Sequence, residues 1–138
     1  MIILDTNIIS EMMKTSPHSP VIRWLDKQTV TDLFITTITI AEITYGINSL
    51  PKGQRKDTLK KSFNKIIEIA FKHRVFSFNE TAAAHYGEIM SERRKIGKPM
   101  SILDGQIAAI ALANEASIAT RNDKDFTHCH VEIINPFN

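Results

Sequence analysis

Short apolar runs alternate with longer segments of mixed polarity along this chain. Each run has four or five residues, is rich in Ile, Leu, Val or Phe, and is typical of a buried strand rather than a helix. Five such runs occur, at residues 1–4, 33–37, 75–78, 117–120 and 131–134. Between them, apolar residues recur at helical spacing. The pattern predicts five strands connected by helices.

Capping and turn residues set the ends of six predicted helices. Pro20 suits a helix start, Thr39 and Ser101 suit N-caps, and the Gly97-Lys98-Pro99 sequence predicts a helix end. The predicted helices cover residues 6–13, 20–25, 39–48, 54–70, 80–95 and 101–113. The fifth is expected to bury a stripe formed by Ala83, Tyr86, Gly87 and Met90.

Alternation of short strands and helices implies crossover connections and a mostly parallel sheet covered on both faces. The chain of 138 residues has about the length of one domain and shows no internal repeat or linker. We therefore expect a single three-layer α/β domain over residues 1–138, with a short-stranded central sheet flanked by helices.

Composition is that of an ordinary globular protein, with 43% hydrophobic and 23% charged residues. No apolar run approaches a membrane span, and no charged segment precedes the first apolar residues, so we expect a cytoplasmic protein. Cys129 is the only cysteine and stands between His128 and His130. Three consecutive residues are poorly spaced for metal ligation, which favours a structural role for this cysteine.

Basic residues concentrate in the middle of the chain, although the net charge is only +2. Residues 52–74 contain eight Lys or Arg against two acids, a balance of +6 that leaves −4 for the remainder. A second cluster comprises Arg93, Arg94, Lys95 and Lys98. Such patches attract phosphate backbones, but they are equally common on solvated helix faces.

Acidic residues follow three of the predicted strands. Asp5 ends the first strand, Glu42 lies in the first turn of the helix after the second, and a loop at residues 122–125 follows the fourth. The carboxyl ends of parallel strands meet at one edge of a sheet, where α/β proteins bind ligands. Asp104 opens the helix before the fourth strand, and it joins this group only if that helix docks its N-terminus at the same edge.

Close carboxylates repel one another and raise each other's pKa unless a cation neutralises them. Mg²⁺, or Mn²⁺, prefers oxygen ligands and typically takes one or two carboxylates with water in the other positions. The acids as a set therefore favour a metal site. Individually, each has a structural alternative: Asp5 can cap the first helix, and Glu42 and Asp104 each fit a capping box.

Five blocks of sequence resemble, in the same order, those of PIN-domain ribonucleases. They are MIILDTNIISE at 1–11, TIAEITYGI at 39–47, DGQIAAIA at 104–111, ATRNDKDF at 119–126 and NPF at 135–137. Each block alone is weak evidence, but the ordered set spans nearly the whole chain. More closely, the blocks resemble the VapC toxins of bacterial type II toxin–antitoxin modules, in the subgroup that includes FitB.

This resemblance implies a Mg²⁺-dependent endoribonuclease that cuts single-stranded or loop regions of structured RNA. A VapB-like antitoxin would hold it inactive, and members of the family typically form homodimers and larger toxin–antitoxin complexes that bind operator DNA. Asp5 and Asp104 would be the direct metal ligands, and Glu42 would complete the catalytic pocket. Three polar residues would support the pocket: Thr6, Asn7 and Thr120.

The position of the fourth acid is open in this sequence. Relatives place it directly after the Thr-Arg pair or three residues later, and these positions are Asn122 and Asp125 here. We expect Asp125 to be the fourth catalytic acid, with Asn122 as a neutral hydrogen-bond donor in the pocket. With three acids only, catalysis by one metal ion is the expectation.

The implied reaction is attack of metal-activated water on a phosphodiester, leaving 5′-phosphate and 3′-hydroxyl ends. Basic side chains would hold the RNA backbone and make activity sensitive to salt. Arg121 is nearest to the acidic loop, and Lys56 and Lys60 belong to the basic helix.

Two other functions fit parts of the pattern. The same scaffold with an incomplete metal site could bind RNA without cutting it. An aspartate-nucleophile phosphatase also carries an Asp after its first strand, but it usually has a second acid at the position of Asn7.

Apolar residues near the start of the chain have two interpretations. They could form a groove for an antitoxin helix, or they could simply belong to the core. The residues concerned are Ile8, Ile9, Met12, Met13 and Trp24.

Overall fold

Five short strands form one sheet in the computed structural model, which describes residues 1–138. The strands are β1 (Ile2–Leu4), β2 (Leu33–Thr36), β3 (Val75–Phe76), β4 (Ser117–Ala119) and β5 (Ile133–Ile134). They lie in the order β3-β2-β1-β4-β5, and every neighbouring pair is parallel. All five predicted strands are present, although β3 and β5 have only two residues each.

Six α-helices connect the strands, as the pattern of apolar residues predicts. They are α1 (Thr6–Met12), α2 (Ser19–Asp26), α3 (Thr37–Asn48), α4 (Gln54–Lys65), α5 (Glu80–Lys95) and α6 (Ile102–Ala113). A π-helical turn, Ile66–Ala70, extends α4, and two 3₁₀ turns are formed by Val30–Asp32 and Asp123–Phe126. None of the helices is long and apolar enough to cross a membrane.

Consecutive strand residues point to opposite faces of the sheet, which gives the protein three layers. Ile3 and Ile118 pack in a cluster with α5 and α6, whereas Leu4 and Ala119 pack in a second cluster with α1 to α4. Because both faces are covered, the short strands are almost entirely apolar. The predicted three-layer α/β fold is confirmed.

Helices α5 and α6 approach each other closely because α6 is rich in small residues. A Cβ atom added at Gly105 would lie 2.5 Å from the sulfur of Met90 and 3.2 Å from Cε2 of Tyr86. The alanines of the same helix, such as Ala108 and Ala111, are fully buried. This close packing fixes where the N-terminus of α6 lies relative to the sheet.

The predicted buried stripe of α5 is right at Tyr86 and Met90, which pack against the core, and wrong at Ala83 and Gly87, which are exposed. Ala82 and Ile89 are buried, Tyr86 is half-buried, and Ala83 is exposed. The expected Gly87 is also exposed, whereas the expected Met90 is half-buried. Three consecutive alanines at residues 82–84 give this helix two equally apolar faces, so periodicity alone could not select the one that contacts α6.

Arg93 is buried, which excludes it from the surface cluster in which the sequence placed it. Its Nε donates to the carbonyl of Lys98 at 2.6 Å, and its Nη1 donates to the carbonyls of Asp125 and Thr127 at 3.0 and 2.7 Å. The guanidinium thus joins the end of α5 to the loop after β4.

Cys129 contacts this buried guanidinium, with its sulfur 3.7 Å from Nη1 of Arg93. Burial raises the pKa of the thiol. His128 and His130 on either side are exposed. The three side chains therefore do not converge, and Cys129 is part of the core.

Replacing Arg93 should destabilise the fold, because its guanidinium joins the end of α5 to the loop after β4. We expect Arg93→Met to lower the free energy of unfolding by about 2–3 kcal/mol, because three backbone carbonyls lose their donor in a buried site. Urea unfolding measures the change. Arg94→Met is the matched control, since Arg94 is exposed on the same helix, and an equal effect of both substitutions would contradict the assigned role.

Candidate active site

The carboxyl ends of β1 and β4 border a crevice at the point where the strand order of the sheet reverses. The chain leaves β1 toward β2 on one side, and β4 lies on the other side of β1. Ligands bind at such switch points in open α/β sheets. A polar cavity of about 340 Å³, here called the acidic pocket, lies at this place. Its lining contains Asp5, Glu42 and Asp104, together with Thr6, Asn7, Ser10, Glu11, Lys14, Arg121 and Asn122.

Asp5 is held between the two central strands. Its Oδ2 accepts hydrogen bonds from the hydroxyl of Thr120 at 2.8 Å and from the side-chain amide of Asn7 at 3.3 Å. Its Oδ1 accepts from the backbone N–H of Thr6 at 2.8 Å. A typical N-cap bonds the N–H two or three residues further on. Asp5 is the N-cap of α1 through its bond from Thr6, and the bond from Thr120 also ties it across the sheet to the end of β4.

Glu42 does not cap α3, which corrects the capping box predicted from Thr39. The helix begins at Thr37, and the hydroxyl of buried Thr36 accepts from the N–H of Thr39 at 3.1 Å. Glu42 consequently lies beyond the first turn. Its Oε1 accepts from the hydroxyl of Thr6 at 2.8 Å, which turns the carboxylate toward Asp5.

Asp104 reaches the same pocket from the other layer of the fold. Ser101 is the N-cap of α6, as predicted, and its hydroxyl accepts from the N–H of Asp104 at 3.2 Å. Because α6 docks its N-terminus at the carboxyl edge of the sheet, Asp104 lines the pocket beside Asp5. The docking on which its membership of the group depended is therefore present.

Burial and mutual repulsion both act on these carboxyl groups. Burial raises the pKa of Asp5 to about 6, and the charges of Asp104 and Glu42 add to the shift, while hydrogen bonds from Thr120 and Thr6 oppose it. Burial also raises the pKa of Asp104, and the charge of Asp125 adds to that shift. A bound cation would favour the ionised form of both acids and lower their pKa values again.

The donor set suits a small divalent cation bound partly through water. No three Asp, Glu, His or Cys side chains lie close enough together to hold one ion. A site for Zn²⁺ or Ca²⁺ normally needs more protein ligands, whereas Mg²⁺ is commonly bound through one or two carboxylates with several waters. Asp5 and Asp104 fit the second description.

Asn122 and Asp125 occupy different places. Asn122 lines the acidic pocket, and its backbone N–H donates to the hydroxyl of Thr120 at 3.0 Å. Asp125 lies exposed in the following 3₁₀ turn and outside the pocket lining, although its charge acts on Asp104. The neutral residue is thus within the pocket and the acid is beside it.

The basic residues singled out from the sequence are only partly at the site. Arg121 lines the acidic pocket, whereas Lys56 and Lys60 do not. Lys56 donates to the carbonyl of Asn48 at 3.1 Å, at the end of α3.

Sequence reasoning missed three pocket residues that follow Asp5, namely Ser10, Glu11 and Lys14, and the side chains of the last two are paired at 2.9 Å. The signal for Glu11 and Lys14 was an acid and a base three positions apart at the end of the predicted first helix.

A larger groove of about 900 Å³ continues from the acidic pocket between α1, α3 and α4. The two cavities share Thr6, Ser10, Lys14 and Glu42. Its apolar lining consists of Met13, Ile43, Ile47, Leu50 and Leu59.

Of the apolar residues near the chain start, only Met13 lines this groove. Ile8 and Ile9 are fully buried in the core, and Met12 and Trp24 pack against that core. The core interpretation is confirmed for Ile8 and Ile9, and Met12 and Trp24 are half-buried against the same core without lining this groove.

This fold and pocket define a PIN domain. Residues 2–130 match the PIN domain family model, and the chain belongs to that family. It is 39% identical to the plasmid stability protein StbB of Pseudomonas syringae pv. tomato over 137 residues, covering 99% of both chains.

Two further relatives carry more specific names. The chain is 35% identical to the VapC ribonuclease Y4jK of Sinorhizobium fredii, covering 99% of this chain and 98% of the relative. It is 36% identical to Toxin FitB of Neisseria gonorrhoeae, covering 100% and 99%. A solved structure of FitAB bound to an IR36 DNA fragment superposes with a TM-score of 0.94 at 36% identity, covering 100% of this chain and 96% of that one.

The raised pKa of Asp5 predicts a pH dependence of stability in the absence of divalent cations. Between about pH 4 and pH 6 the folded protein keeps a proton that the unfolded chain has lost, so stability falls as pH rises. From the shift of 3.8 to about 6, the loss is up to about 3 kcal/mol.

Asp5→Asn should abolish this contribution. Its free energy of unfolding relative to wild type should rise between about pH 4 and pH 7.5 in chelator, by up to that amount. Urea unfolding at the two pH values measures the difference. Parallel pH profiles of the two proteins would show that Asp5 carries no shifted pKa.

Proposed function

We propose that this protein is a metal-dependent endoribonuclease and the toxin of a type II toxin–antitoxin module. The observation that carries the proposal is that Asp5, Glu42 and Asp104 line one pocket at the switch point of the sheet. The relatives named VapC ribonuclease and Toxin FitB support it. We propose a cytoplasmic location, and single-stranded or loop regions of structured RNA as substrate.

Asp5 and Asp104 are the proposed ligands of Mg²⁺, which Mn²⁺ could replace. When bound, such an ion supplies a Lewis acid for a phosphoryl oxygen and lowers the pKa of water. Glu42 is the remaining acid of the pocket and is suited to orient a water molecule or take its proton. Thr6 fixes the carboxylate of Glu42 and Thr120 that of Asp5, each by a hydrogen bond of 2.8 Å.

Asn7 and Arg121 complete the proposed site. The side chain of Asn7 donates to Asp5 and to Thr120 and accepts from the N–H of Arg121 at 3.1 Å. This position thus serves as a bridge of hydrogen bonds and offers no second acid, unlike the phosphatase alternative. Arg121 contacts the RNA backbone in this proposal, with weaker long-range attraction from Lys56 and Lys60.

An antitoxin of the VapB type is the proposed inhibitor. The apolar groove is continuous with the acidic pocket, so an apolar segment lying in it would cover the approach to Asp5 and Glu42. The solved FitAB complex with DNA supports this assembly. We propose that operator DNA is bound only through the antitoxin, and that the toxin forms a homodimer within the complex.

Removing either proposed metal ligand should abolish cleavage. We expect Asp5→Asn and Asp104→Asn each to lower cleavage of a mixed small-RNA pool in Mg²⁺ by about a hundredfold or more, since loss of a supporting residue alone typically costs 10–100-fold. Mapped 5′-phosphate ends and their loss in chelator measure the reaction. Asp26→Asn, at an exposed acid on α2, is the control. Wild-type cleavage by either pocket variant, or none by wild type at any concentration with RNA still bound, would reject the nuclease.

Asp125 is proposed as the fourth acid, acting on the ion through its charge. Asp125→Asn should then raise the Mg²⁺ concentration for half-maximal cleavage by about two- to fivefold, and Asn122→Asp should lower it, because each alters the negative potential at Asp104. Magnesium titrations of cleavage measure both. Asp123→Asn, an exposed neighbour in the same turn, is the control. No change on substituting Asp125 would leave a site of three acids.

A further inference from the structure

The backbone of Arg121 is held by hydrogen bonds on both sides, and its half-exposed guanidinium lies between an aromatic ring and a carboxylate. Its backbone N–H donates to the side chain of Asn7, and its carbonyl accepts from the side-chain amide of Asn135, both at 3.1 Å. The guanidinium carbon lies 4.0 Å from the ring centroid of Phe137. An exposed arginine normally samples many rotamers, so this degree of constraint at a pocket wall calls for a role.

Glu11 holds the other side of the guanidinium. Its Oε2 lies 3.7 Å from Nη2 of Arg121 and 2.9 Å from Nζ of Lys14, and its Oε1 accepts from the N–H of His18 at 2.7 Å. Glu11 is buried, and its hydrogen bonds from Lys14 and His18 lower its pKa. It therefore remains an anion that fixes two cations while leaving this wall with a net positive charge.

Phe137 is attached to the same cluster. Its ring stacks on that of His18 at 5.7 Å, and its N–H donates to the side chain of Asn135 at 3.0 Å. Phe137 does not itself line the acidic pocket. Its ring lies behind the guanidinium of Arg121, which does line the pocket.

We propose that Phe137 is a positioning residue that holds Arg121 as a ready-made contact for an RNA backbone phosphate beside the acidic pocket. The inference rests on the proposed ribonuclease function and adds a part of the chain that function did not use. An RNA phosphate approaching Asp5, Glu42 and Asp104 meets their negative charge, and the wall formed by Arg121 and Lys14 offsets it. An arginine already held in one orientation loses little further rotamer freedom when it binds the phosphate.

The alternative is that Phe137 only packs against the core, since it is half-buried there. A double-mutant cycle separates the two roles, because an effect that acts through Arg121 disappears once Arg121 is replaced. The cycle comprises Phe137→Leu, Arg121→Gln and their combination. All are made on Asp5→Asn, so that the bound RNA stays intact.

The probe is a labelled single-stranded RNA of mixed sequence, and its dissociation constant is measured against salt concentration. We expect Arg121→Gln to weaken binding about tenfold and to reduce the slope of log K against log salt by about 0.7, one phosphate contact. Phe137→Leu should weaken binding about two- to fivefold with Arg121 present, the usual size of an exposed cation–π contact, and should have no effect with Gln at that position. Phe137→Trp should retain wild-type affinity.

Lys124→Gln is the control cation, since Lys124 is exposed in the same loop and outside the pocket. Equal weakening by Phe137→Leu in both backgrounds, or no effect of Arg121→Gln, would overturn the proposal. Cleavage by the protein with Asp5 intact is assayed in parallel. If the binding cycle gives one of these results while the protein with Asp5 intact still cleaves RNA, only the role of Phe137 is rejected. If the protein neither cleaves nor binds RNA, the proposed ribonuclease function is rejected as well.

Discussion

The hydrogen bond from the Thr120 hydroxyl to the Asp5 carboxylate joins the two strands on which the pocket depends. It is 2.8 Å long and lies where β1 and β4 end side by side. Because both residues are buried, the sheet must keep this register or leave a carboxylate in the core without its donor. The fixed carboxylate of Asp5 is surrounded by the other polar residues of the pocket, including Glu42, Asn7 and Asp104. Burial and the neighbouring carboxylates make the ionised form of Asp5 unfavourable in the fold. The same negative charge makes the pocket suitable for a cation.

Much of the fold could be predicted from the sequence because its signals are local and mutually consistent. Apolar runs marked every strand, and Ser101 and Gly97 marked the start of α6 and the end of α5. Asp5 and Glu42 line one pocket because the carboxyl ends of neighbouring parallel strands share one edge of the sheet. Whether Asp104 would join them stayed open in the sequence, since the docking of α6 depends on the close approach of Gly105 to α5.

What the sequence could not predict concerns choices between equivalent local patterns. Thr36 and Thr39 are both acceptable caps, and the structure uses Thr36, whose hydroxyl accepts from the N–H of Thr39. Arg93 and Arg94 look alike in the chain, and only the helix phase buries the first. The sequence shows Glu11 and Lys14 three positions apart, but it does not show that the direction of α1 brings this pair to the acidic pocket.

The edge strands β3 and β5 have two residues each, and this shapes how the protein can associate with others. An exposed edge is a template for strand addition, and edges this short offer too few free backbone groups to extend the sheet into a second chain. Edge-to-edge pairing of sheets from neighbouring molecules is therefore disfavoured. We therefore expect stable complexes to form through the side chains of helices and loops, where partner choice can be selective.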